Sequence, residues 1–143
     1  MAYAVAIANI NMPCVSPAPA EEARAAYLDM LGDPVGELAA LSDTREVRVA
    51  EISQGVIDAA PLFDAGNLGA SRSPKVSIQR SDAYRALLRS EGQWDVIVSE
   101  PSNPWVTGVE MLYSREFLEA ARSRLAPGGV YAQWFHLYES DED

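Results

Sequence analysis

A doubly wound α/β domain on a mostly parallel sheet is the fold the sequence predicts. Three observations predict it. Strand-like and helix-like segments alternate at short spacing from Val47 onward. Parallel neighbours need a crossover between them, and a helix sits where each crossover is required. Val96, Ile97 and Val98 form an unbroken apolar run, as in a strand covered on both faces. The chain of 143 residues, 48% hydrophobic and 22% charged, is long enough for one domain with a real core.

The first twelve residues are weakly polar, with two Asn and no Lys or Arg. They lack the basic start of a secretion signal and the roughly 20 apolar residues of a membrane span. Pro13, Pro17 and Pro19 then remove backbone donors in quick succession. Residues 1–20 therefore read as an N-terminal extension and linker, and residues 21–143 as the domain. Residues 21–30 are rich in helix formers, with Ala23, Ala26, Tyr27 and Met30 on one face. Gly32, Asp33, Pro34 and Gly36 make a turn that runs into a second helix at 37–41.

Residues 47–52 are a strand by β-branched content, and 55–63 a short helix that Pro61 ends or kinks. Residues 75–79 are a second strand, and 82–89 a helix with Tyr84, Leu87 and Leu88 on one stripe. The apolar run lies in a third strand at 95–100. Residues 112–125 make the best helix, with Leu112, Phe117, Ala120, Ala121 and Leu125 inward and Arg115, Glu119, Arg122 and Arg124 outward. The sequence Ala-Pro-Gly-Gly at 126–129 stops it, and 130–135 is a fourth strand.

A net charge of −10 opposes binding to nucleic acid or an anionic membrane and tolerates a cationic small substrate. Cys14 is the single cysteine, so no internal disulfide or thiolate metal cage can form. These features lead to the expectation of a soluble, cytoplasmic chain without a metal.

In a doubly wound sheet, ligands sit outside the carboxyl ends of the strands. Glu51, Asp82 and Glu100 lie at or just beyond successive strand ends. Glu51 follows Gly32 by 51 − 32 = 19 residues. That is close to the spacing of about 20 between a glycine turn and the acid that accepts both ribose hydroxyls of an adenosine cofactor. A solvated strand-end Glu fits the same position. Pro101 and Pro104 stiffen the loop that carries Glu100, where a carboxylate can take a proton from an amine or orient it. A plain Pro-rich connector with a packing Trp105 fits equally well. His136 reads as a strand-end polar residue, Cys14 as an incidental thiol, and Trp94, Trp105 and Trp134 as core packing before a ligand wall.

The stretch from Asp95 to Trp105, DVIVSEPSNPW, followed by LYSREFLEAARSRLAPGGVYAQW and FHLYE, resembles the spermidine synthase (polyamine aminopropyltransferase) family. The likeness is closest to the bacterial branch in which SEPSNPW replaces an Asp-containing motif. It runs from about Val47 to Glu139 and is strongest after Asp95. More broadly, the chain is similar to the Rossmann-like fold of S-adenosylmethionine-dependent methyltransferases.

The resemblance implies that Gly32 and Gly36 belong to the cofactor turn, that Glu51 holds the ribose, and that Asp82 and Ala83 lie beside adenine. It implies that Glu100 handles the attacking amine, with Asn103, Tyr113 and Gln133 on the substrate side. The reaction implied is aminopropyl transfer from decarboxylated S-adenosylmethionine to a diamine such as putrescine, with no metal.

The chain also departs from the family. Glu100 and Asn103 stand where an Asp-x-x-Asp pair is usual, and Pro34 removes a backbone donor from the glycine turn. The chain reads as truncated at both ends, with an exposed sheet edge that favours a homodimer. Methyl transfer from S-adenosylmethionine to a small molecule, and a non-catalytic remnant acting as an interaction module, stay open as alternatives.

Overall fold

Strands β1 (Ala2–Ile7), β2 (Thr44–Glu51), β3 (Val76–Arg80), β4 (Trp94–Ser99) and β5 (Leu125–Gln133) form one sheet in the order β3-β2-β1-β4-β5. Every neighbouring pair is parallel. The structure is a computed structural model that describes residues 2–7, 34–101, 105 and 107–134. Connections run outward from β1 in both directions, so the strand order reverses between β1 and β4, where such sheets open a crevice.

Helices α1 (Pro34–Ala40), α2 (Gln54–Ala59), α3 (Ala83–Arg89) and α4 (Arg115–Arg124) join the strands, with 3₁₀ turns at Ala60–Phe63, Ala70–Arg72 and Glu110–Tyr113. Side chains alternate across β2. Val47 and Val49 pack with Val35 and Ala39 of α1 on one face, while Ala50 joins the core on the other. That second core holds Ile97 of β4, Ala83 and Leu87 of α3, Leu112, and Phe117, Ala120 and Ala121 of α4. Two buried faces under helices make this a doubly wound α/β domain, as its alternating pattern predicts.

The central strand was not expected. Ala2–Ile7 falls in the segment read as an extension, yet it pairs with both β2 and β4. A six-residue apolar run carries no helical period, and the absence of charge that argued against a leader suits a strand flanked on both sides. The linker at 13–20, the helix at 21–30, Cys14 and His136 lie outside the described residues.

Three smaller differences have local causes. Pro34 opens α1 instead of ending a turn, because the first helical residue needs no N–H partner and proline presets its φ. The helix expected at 112–125 is split: Ser114 takes an extended conformation and its Oγ accepts Phe117 N at 3.1 Å, so α4 starts afresh at Arg115. Residues 126–129 bulge within β5, since Trp94 pairs with Leu125 but Val96 with Val130. Leu88 of the α3 stripe is half exposed, whereas Leu87 is buried. Among the described residues, no helix is long and apolar enough to cross a membrane.

Candidate functional site

Because all neighbouring strands are parallel, their carboxyl ends lie along one edge of the sheet. Ala6 of the central strand pairs with Val49 on one side and Val98 on the other. Glu51 and Glu100 each stand two residues further on, so they flank β1 at one height. Two strand spacings separate them, about 10 Å. This is the reversal point of the strand order.

Glu51 is 2% exposed, and its Oε1 accepts the backbone N–H of Ser53 at 2.6 Å. That bond bends the chain from β2 into α2, where Ser53 caps the helix through Val56 N. Glu51 is thus a buried carboxylate held in place, not a solvated strand end. Glu100 is half-buried directly after β4. The next residue, Pro101, is fully buried and its carbonyl accepts the Tyr113 hydroxyl at 3.2 Å.

Asp82 shares the edge but not the enclosure. It is exposed, and its Oδ1 accepts Arg85 N at 2.8 Å as the cap of α3. Ala83 beside it packs into the core. Gly36 lies inside α1, where a Cβ would meet the Asn67 carbonyl oxygen at 2.0 Å. Its lack of a side chain is needed for helix-to-loop contact, whatever else its backbone does. Gly32 and Asn103 lie outside the described residues.

Tyr113 and Gln133, far apart in sequence, meet at the ends of β4 and β5. Gln133 Nε2 donates to Ser99 O at 3.3 Å and Trp134 O at 3.2 Å, and the Tyr113 hydroxyl also reaches Trp134 O at 3.4 Å. The Tyr131 hydroxyl donates to Gln133 Oε1. Both ends of the Gln133 amide are therefore engaged within the protein, and contact with a substrate would require it to release one bond.

Tyr131 is not among the residues the sequence points to, although it stands two residues from Gln133 on the same face of a strand. Burial pushes its phenol pKa up, Tyr113 adds to the rise, and Ser99 opposes it. Ser99 Oγ lies close enough for that influence, yet it is fully buried and meets no partner of good hydrogen-bond geometry among the described residues. Of the three tryptophans, Trp94 is in the core as expected, whereas Trp105 and Trp134 are 66% and 38% exposed. Among the described residues, no cluster of three or more His, Cys, Asp or Glu could hold a metal ion.

No family model matches the chain. It is 30% identical over 96 residues to the spermidine synthase of Dictyostelium discoideum, covering 64% of this chain and 34% of that protein. A polyamine aminopropyltransferase of Leptospira biflexa is 28% identical over 110 residues, covering 73% of this chain and 39% of that one. Polyamine aminopropyltransferase 1 of Pseudomonas aeruginosa is 29% identical over 100 residues, covering 69% and 35%. The matches thus span 34–39% of these curated relatives.

Proposed function

We infer the function from the family to which the chain belongs, as a distant and partial member: the spermidine synthases and polyamine aminopropyltransferases. Within that family the proposed activity is transfer of an aminopropyl group from decarboxylated S-adenosylmethionine to a diamine such as putrescine. The observation that carries the reading is the buried, anchored carboxylate of Glu51 at the reversal point, level with Glu100 across one strand.

In this reading the Glu51 carboxylate accepts the two ribose hydroxyls. One carboxylate offers about four lone-pair sites and so can serve several donors, of which the Ser53 N–H is one. Glu100 orients the acceptor amine and takes its proton. The amine lone pair forms the new C–N bond as the C–S bond of the sulfonium breaks, and that electron pair returns to sulfur to give methylthioadenosine. Sulfonium is a good leaving group, so the protein's task is alignment and proton removal. Tyr113 fixes the loop beside Glu100 by binding the Pro101 carbonyl. Trp105 and Trp134 offer exposed aromatic faces suited to an aliphatic ammonium.

Product detection with decarboxylated S-adenosylmethionine and a panel of diamines tests the proposal, with the wild type beside Glu100→Gln. Methylthioadenosine and an extended polyamine should form, and the variant should lose about 10²-fold or more in rate. Turnover unchanged in Glu100→Gln removes that residue from the mechanism. Reaction only with the carboxylated form of the sulfonium replaces aminopropyl transfer with methyl transfer.

A further inference from the structure

We propose that the groove between α3 and strands β2 and β3 binds a small oxyanion of phosphate size. The groove is a cavity of about 180 Å³ whose lining includes Arg48, Gln79, Arg89, Ser90 and Trp94. Among the described residues no carboxylate lines it, although the chain carries 21 Asp and Glu against 11 Lys and Arg. Two guanidiniums, an amide and a hydroxyl make a wall of donors in an acidic protein.

The donors are available. Arg48 sits 5.0 Å from the centre of the Trp94 ring, which holds its guanidinium over the indole. Its Nε and Nη2 donate to Glu46 Oε1, and three of its five N–H groups remain for another acceptor. Arg89 is exposed and has no carboxylate partner among the described residues. Nor is it spent on the end of its own helix: Leu87 O accepts Ser90 N, and Leu88 O accepts Arg124 Nη2 at 2.9 Å. Ser90 Oγ accepts the Trp94 indole N–H at 2.7 Å, which leaves its hydroxyl hydrogen to donate.

Size and donors together set the class of ligand. A volume of about 180 Å³ has room for a tetrahedral oxyanion with some water, and the donors that line it suit one. The lining runs from Ser90 and Trp94, at the end of α3 and the start of β4, to Ala50, Gln79 and Ser81 at the carboxyl ends of β2 and β3, while Glu51 and Glu100 themselves do not line it. The site stands whether or not the chain transfers aminopropyl groups.

Inorganic phosphate titrated into the full chain at fixed ionic strength, with chloride as the replaced ion, tests the proposal by NMR of the Trp94 indole N–H. A saturable shift is expected. Arg89→Gln should bind about three- to tenfold more weakly, the loss suited to one exposed charge-assisted hydrogen bond. Arg85→Gln, an exposed arginine of the same helix outside the groove, should bind as the wild type does. The absence of a saturable shift overturns the site. So does an equal weakening in both variants, which would mark general charge attraction, or an unchanged affinity in Arg89→Gln.

Discussion

Replacing Gly36 by alanine sets two opposing effects against each other. Alanine is favoured over glycine inside a helix by roughly 0.8–1 kcal/mol. The added Cβ, however, would stand 2.0 Å from the Asn67 carbonyl oxygen and 2.7 Å from its carbonyl carbon. Both are backbone atoms, so no side-chain rotation relieves the clash, and α1 or the loop at Asn67 must move. Overpacking of this kind costs about 1–3 kcal/mol and occasionally more. A contact this short belongs in the upper part of that range, about 2–3 kcal/mol, so the steric cost is expected to win and leave the variant less stable by roughly 1–2 kcal/mol.

Gly55 of α2 gives the converse case. A Cβ there meets only Ser53 Oγ, at 3.8 Å, so Gly55→Ala should gain about 0.5–1 kcal/mol. Urea unfolding followed by circular dichroism reads both variants through their midpoints. A Gly36→Ala protein as stable as the wild type would refute the assigned packing of α1 on Asn67.

Other perturbations have equally definite signs. Asp64 accepts hydrogen bonds from the Ser71 hydroxyl, Ser71 N and Arg72 Nε, and these hold its carboxyl below the usual range against the opposing effect of burial. A depressed folded pKa gives stability that is present above the unfolded value of about 3.9 and is lost as pH falls through the folded one. Asp64→Asn should therefore flatten the acid limb of a stability-versus-pH curve, and an unchanged limb would contradict the assignment. Phe117, fully buried and edge-on to Tyr84 at 6.0 Å, should cost about 3–5 kcal/mol when cut to alanine, read by the same urea titration. Ser114→Ala should cost about 1 kcal/mol by removing the cap of α4. Glu51→Gln should weaken methylthioadenosine binding about ten- to a hundredfold in calorimetry, the range for hydrogen bonds to a charged group.

Much of the architecture was legible because burial on both faces leaves a pattern. The apolar run of β4 and the inward set Phe117, Ala120 and Ala121 follow directly from period and hydrophobicity. The central strand was not legible: Ala2–Ile7 is defined by partners 40 to 90 residues away, and nothing local distinguishes it from an apolar tail. The break at Ser114 was readable in principle, since a serine three residues before Phe117 is a capping signal, but the longer hydrophobic stripe concealed it. At the candidate site, the rule that ligands gather at strand ends found Glu51 and Glu100, and their shared level needed the register. Asp82 was singled out by the same rule, yet its carboxylate caps a helix, a role that an Asp just before a helical segment also announces. Tyr131 escaped notice because a tyrosine in a strand looks like packing until its hydroxyl is found on Gln133.

On the function proposed above, the carboxyl edge on either side of β1 receives an adenosine group. Titration of methylthioadenosine into isotopically labelled protein, followed by backbone amide shifts, tests it most directly. Saturable changes concentrated at Glu51, Ser53, Ser99 and Glu100 are expected. Changes confined to the opposite edge, around Thr44 and Trp94 where β2 and β4 begin, would contradict it, as would no binding at all.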